Sequence, residues 1–156
     1  MKVMRWFGLG LFSLLIPATA SPVPVPGALA QPQPGQTAEA GNDFISAEQL
    51  KAKLARAEAV TIVDVRDTQT YLQSNRIKDS IYVKLRRLSY RATMPPLKNV
   101  PRDRLVVTYC ACPHDEASVR AAQILRDAGF THVQILQGGW QMWLKINGQV
   151  EPRPRA

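Results

Sequence analysis

The sequence is poor in cysteine and histidine. Its 156 residues include two cysteines, Cys110 and Cys112, and two histidines, His114 and His132. No cysteine stands near position 20, which argues against a lipidated N-terminus. No second cluster of metal-ligating types accompanies the group Cys110, Cys112, His114 and Asp115, and Pro113 stiffens that stretch. Zn or Cu(I) binding there is a lesser alternative, and no metal or organic cofactor is expected. The 20 basic residues outnumber the 12 acidic ones, but they are scattered among acids. Without a basic stripe or interleaved aromatics, a solvated basic surface is expected and nucleic-acid binding is not. No internal repeat is visible.

The N-terminus carries its own pattern. Lys2 and Arg5 precede an apolar run from Trp6 to Ile16, followed by Pro17 and the small-x-small site Ala18-Thr19-Ala20. The run is too short to span a bilayer comfortably. These are the ingredients of a secretory signal peptide over residues 1–20, with cleavage after Ala20. The protein is therefore expected to be exported to a periplasm, and to meet a membrane only through this segment if it is uncleaved. Residues 21–42 are rich in Pro, Gly, Gln and Ala and read as an extended linker. A single domain is expected over 43–150, working as a monomer, with a tail over 151–156.

Within the domain, Ser46-Ala47-Glu48-Gln49 has the form of a capping box. Ile45 and Leu50 are placed as its hydrophobic staple, and the helix should run to about Ala57. Val60 to Val65 and Ile81 to Val83 read as strands, Gln69–Ser74 and Lys84–Ala92 as helices. Pro95-Pro96 marks a loop. Leu105-Val106-Val107-Thr108-Tyr109 is apolar enough for a central parallel strand covered on both faces. Ser118 should cap a helix with Ala121, Ile124, Leu125 and Ala128 on its inner stripe, ended by Gly129. Val133–Leu136 is another strand. Gly138-Gly139 turns the chain into a last helix, where Trp140 and Trp143 are read as packing. This alternation implies an α/β fold with a central parallel sheet and helices on both faces.

The chemistry concentrates at the end of the strongest strand. In open parallel sheets ligands bind beyond the carboxyl ends of the strands. Cys110 stands there, and the loop Cys110-Ala111-Cys112-Pro113-His114-Asp115-Glu116-Ala117-Ser118 leads to a helix start. Amide N–H groups and the helix dipole favour a thiolate at such a place. A cradled thiolate can hold a transferred sulfur as a persulfide. His132, between the last long helix and the last strand, reads as a solvated loop residue, and Arg86, Arg87 and Arg91 as one solvated face.

Ile62-Val63-Asp64-Val65-Arg66-Asp67, then Tyr71 with Arg76 to Ile81, then Val106 to Cys110, then Gly129-Phe130 with Leu136-x-Gly138-Gly139-x-x-x-Trp143, stand in the order of the rhodanese family. From Ile45 to about Val150 the chain resembles that family. The resemblance implies a sulfurtransferase in which Cys110 takes sulfur from a small donor such as thiosulfate or a polysulfide. It would pass the sulfur to a thiol, a protein or another thiophilic acceptor. It implies structural support from Asp64 and Arg66. The remaining loop residues, Ala111 to Ser118, would bind substrate.

The loop departs from the family pattern Cys-x-x-Gly-x-Arg-Ser. Cys110 to Ser118 is eight steps rather than six, so the strand side nominates Cys110 and the helix side nominates Cys112. The Gly and the Arg are missing, and Asp115 and Glu116 stand where they would repel a small dianion. Arg120 can offset that charge. Two further readings stay open: a thiol redox pair, or one cysteine resolving the other, and a rhodanese-like binding module with little turnover. A structural Cys-x-Cys disulfide is not expected, because the ring is tight. Related phosphatase loops need an Arg about six residues past the Cys, where this chain has Glu116 or Ser118.

Overall fold

The computed structural model describes residues 43–153, so the expected signal peptide over 1–20, the expected linker over 21–42 and the last three residues of the expected tail lie outside the described residues. Phe44–Ile45 form a short strand, β1. The capping box follows: the Gln49 N–H donates to Ser46 Oγ (3.1 Å) and the Ser46 N–H donates to Gln49 Oε1 (2.9 Å). Helix α1 spans Ala47–Ala55. Ile45 and Leu50 are buried in one cluster on either side of the cap, as a staple requires. Ser46→Ala is expected to cost about 1 kcal/mol, read as a lower urea midpoint at unchanged slope.

Strand β2 is Val60–Asp64, helix α2 is Thr68–Gln73, and the two-residue strands β3 (Arg76–Ile77) and β4 (Ile81–Tyr82) follow. The expected helix over Lys84–Ala92 is broken in two. A 3-10 turn at Leu85–Arg87 runs into a single helical turn, α3, at Leu88–Arg91. No side chain caps either piece, and buried Leu88 and Ala92 hold the segment down. Strand β5 is Leu105–Tyr109, helix α4 Glu116–Asp127, strand β6 Val133–Leu136, helix α5 Gly139–Lys145 and strand β7 Val150–Glu151.

Five strands form a parallel sheet in the order β1, β6, β5, β2, β4. Alternation along the strands divides the core. Val63, Val65, Val106 and Cys110 face α3 and α4 with Leu88, Ala121, Ala122 and Leu125. Ile62, Val107 and Tyr109 face α1 and α5 with Leu50, Trp140 and Trp143. Strand β5, at the centre, is buried over four of its five residues, which is why its sequence reads apolar throughout.

The sequence missed the second sheet. β3 pairs antiparallel with β7, Arg76 opposite Glu151 and Ile77 opposite Val150. Glu151, read from the sequence as the start of the tail, accepts from Arg76 at 2.6 Å and from the Asp79 N–H at 3.1 Å. Two-residue strands joined across 75 positions leave no periodic signal.

Candidate active site

Cys110 directly follows β5 at the carboxyl edge of the sheet and is buried, with 1% of its surface exposed. Its carbonyl accepts the Trp140 N–H of α5 at 2.8 Å. Its Sγ receives the backbone N–H of Cys112 at 3.4 Å. Cys112 is half-buried, and the two sulfurs are joined as a disulfide. This differs from the expectation drawn from the tight ring. The chain bends at Ala111, and the two Cα atoms lie 5.7 Å apart, within the span a disulfide bridges.

The far side of the loop also differs. Ser118 is not the cap. Helix α4 starts two residues earlier, at Glu116, and Asp115 holds the cap position with a left-handed backbone, φ 56°. The Asp115 side chain does not cap its own helix. It accepts the Gly138 N–H at 2.8 Å, and the residue is 6% exposed. Asp115, expected to meet the substrate as a repelling charge, is instead the tie between the loop and the turn before α5. Asp is among the few side chains that tolerate this backbone region. Ser118 lies inside the first turn, fully buried, with its carbonyl accepting from Thr108 Oγ1 at 3.1 Å. Pro113, His114, Glu116 and Arg120 are exposed, while Ala111 and Ala117 are half-buried against the core.

Gly138 and Gly139 both have positive φ, 70° and 47°. A methyl group at Gly139 would overlap the Cys110 carbonyl oxygen and crowd Asp115 Oδ1. The double glycine is therefore fitted against the loop, beyond its role as a turn. Gly139→Ala is expected to cost about 1–3 kcal/mol from backbone strain alone. It should also push apart Cys110 and Trp140. Urea unfolding checks the first effect, and faster alkylation of the reduced Cys110 thiol checks the second.

Behind the loop lies a buried ion pair. Arg66 donates to Asp64 through Nε (3.0 Å to each oxygen) and Nη2 (2.7 Å), and both side chains are fully buried. Nη1 reaches Ser74 Oγ at 2.7 Å and Nη2 reaches the Asn75 carbonyl at 2.9 Å. The guanidinium lies 4.4 Å from the Trp140 ring centre. Burial opposes the charge on Arg66, but Asp64 overcomes it and holds the guanidinium pKa above its ordinary value. The Tyr109 hydroxyl donates to Asp64 Oδ2 at 2.7 Å and accepts the Ile77 N–H at 3.2 Å. Burial, then the Asp64 charge, raises the Tyr109 pKa, so the phenol keeps its proton. Sequence reasoning missed Tyr109. The available signal was a phenol inside an otherwise apolar central strand, since a buried hydroxyl needs a partner.

A cleft of about 650 Å³ opens at the same edge, between the end of β2, the Lys84–Ser89 segment and α4. Ala117 and Arg120 line it from the α4 side, Asp67 and Thr68 from the cap and first residue of α2, and Lys84 and Arg86 from the third side. Arg86, expected on a solvated helix face, thus joins Arg120 at a cleft. His132 is exposed and lies 2.8 Å from the Asp103 carbonyl, away from the loop. Among the described residues, no cluster of three or more His, Cys, Asp or Glu is placed to hold a metal ion. No described helix is long and apolar enough to cross a membrane.

Residues 46–146 match the family described as Rhodanese-like domain. The chain belongs to that family. This rhodanese-like protein is 32% identical over 93 residues to the thiosulfate sulfurtransferase GlpE of Pseudomonas savastanoi pv. phaseolicola, covering 60% of this chain and 80% of the relative. It is 30% identical over 101 residues to a sulfurtransferase of Allochromatium vinosum, covering 65% and 87%. The solution structure of the rhodanese-like domain from the Anabaena sp. Alr3790 protein superposes with a TM-score of 0.61 at 33% identity, over 74% of this chain and 86% of that one. The rhodanese-like fold and a kinship with sulfurtransferases follow.

Proposed function

We propose that this rhodanese-like protein is a sulfurtransferase with Cys110 as nucleophile. The Cys110 thiolate attacks the outer sulfur of a donor, takes it as a persulfide, and passes it to a thiol or another thiophilic acceptor. The observation that carries this reading is the setting of Cys110. It is anchored by the Trp140 N–H on its carbonyl, and the Cys112 N–H is aimed at its Sγ. In the reduced protein that N–H stabilises a thiolate, and the α4 N-terminus adds a favourable field. The cleft beside α4 supplies Lys84, Arg86 and Arg120 for an anionic donor. Thiosulfate is the donor in the names of several relatives, and it is the first to test.

Reduced protein is treated with thiosulfate and its mass measured under denaturing conditions. Cys112→Ser should gain the mass of one sulfur atom, and Cys110→Ser should gain nothing. An adduct that survives in Cys110→Ser would move the nucleophile to Cys112. In the cleft, Arg86→Ala together with Arg120→Ala should raise the KM for thiosulfate while leaving kcat nearly unchanged, because the two act on substrate charge and not on the reacting bond. An unchanged KM would remove the cleft from the site. Export remains part of the proposal, and a mature N-terminus at Ser21 in protein recovered from outside the cytoplasm would bear it out.

A further inference from the structure

We propose that Cys112 resolves the persulfide on Cys110, so that the protein releases hydrosulfide by itself and ends as the disulfide. This rests on the sulfurtransferase reading above and adds a reductive half-reaction to it.

Three observations carry the step. The sulfurs of Cys110 and Cys112 meet in the folded loop, so no chain rearrangement is needed to bring a second thiol onto the first. The Cys112 N–H is turned to Cys110 Sγ, which pins the backbone of the second cysteine over the first. Cys110 is 1% exposed, whereas Cys112 is half-buried. An external thiol must therefore enter the loop to reach Cys110, while Cys112 is already there. A group held in attack position has an effective concentration that a dissolved thiol does not match.

The chemistry balances in three steps. The Cys110 thiolate attacks the outer sulfur of thiosulfate, the S–S bond of the donor breaks, and sulfite leaves with its electron pair. The Cys112 sulfur then attacks Cys110 Sγ. The bond between Cys110 Sγ and the sulfane sulfur breaks, and that sulfur leaves as hydrosulfide carrying the Cys112 proton. The two thiols have lost two electrons and the sulfane sulfur has gained them. A dithiol reductant then restores the pair. Its thiolate attacks the sulfur of the more exposed residue, Cys112, and Cys110 departs as the thiolate. The dithiol is oxidised to its own disulfide. Per cycle, thiosulfate and a dithiol give sulfite, sulfide and the oxidised dithiol.

The test is a single turnover without added thiol. Protein reduced and freed of reductant is mixed with excess thiosulfate, and sulfite, sulfide and free thiols are counted. Wild type should release about equal amounts of sulfite and sulfide, and lose both thiols to a disulfide. Cys112→Ser should release sulfite, keep the persulfide, and give sulfide only at the background of Cys110→Ser until a thiol is added. Sulfite release from wild type with a stable persulfide, a free Cys112 and no sulfide would overturn the resolving role and leave the sulfurtransferase reading intact. No sulfite from wild type would overturn both. The wild-type measurement alone decides, so the folding of the variants does not enter.

Discussion

Replacing Arg66 with Ala is expected to lower the stability of the folded domain by about 3–5 kcal/mol. The size follows from what is left behind. Asp64 is fully buried, and without the guanidinium its carboxylate keeps only the Tyr109 hydroxyl and the backbone N–H of residue 66. Two neutral donors do not replace a cation in a dry site, so the loss exceeds that of an ordinary hydrogen bond, about 1 kcal/mol. Ser74 and Asn75 lose their donors as well, and Trp140 loses the cation beside its ring. The pair thus joins the end of β2, the segment after α2, the end of β5 and the start of α5. Asp64→Ala should cost a similar amount, and the double variant less than the sum, because the second deletion removes an already uncompensated charge. Urea denaturation of the four proteins reads this directly. A shift below about 1 kcal/mol for Arg66→Ala would show that the site hydrates on mutation and that the pair is not a cornerstone. Since Tyr109 precedes Cys110, the same variants should loosen the reactive loop.

Cys110→Ser is expected to reduce sulfur transfer by on the order of 10³-fold or more. The hydroxyl occupies nearly the same space, so the fold should be unchanged, but it is neither ionised near neutral pH nor able to hold a sulfane sulfur. Cys112→Ser should behave differently. It keeps sulfite release and transfer to an added thiol, and loses only the release of sulfide without one. The contrast separates a nucleophile from a resolving thiol, which two adjacent cysteines in a sequence do not reveal. Equal losses in both variants would mean that the pair acts only as a redox couple. The readout is sulfite formation from thiosulfate with and without added thiol, with unfolding midpoints as the control for the fold.

Much of the scaffold was legible because its signals are local. The capping box at Ser46 and Gln49 lies within four residues. The unbroken apolar run of β5 marks a strand covered on both faces, and the inner stripe of α4 repeats at helical spacing and states which side is buried. The α/β class and the place of Cys110 at a strand end followed from that order. The errors fall where a residue's partner lies far along the chain. Ser118 looks like a cap in isolation, but the Asp115 carboxylate is claimed by Gly138, 23 positions later, and the chain turns left-handed at 115 to reach it. Arg86 is exposed, as its sequence pattern implies, but the expected helix is a single turn preceded by a tighter one, and the residue also borders a cleft.

The sequence by itself determined the family, the alternating sheet and the identity of the two thiols, because periodicity, capping and order are written in neighbouring residues. Only the tertiary structure decided that the two sulfurs meet, that Asp115 and the Gly138–Gly139 turn lock the loop, and that Tyr109 completes the Asp64–Arg66 pair. Each of those is a close approach between backbone or buried polar groups, and distance in space between such groups is set by packing, which no local pattern records.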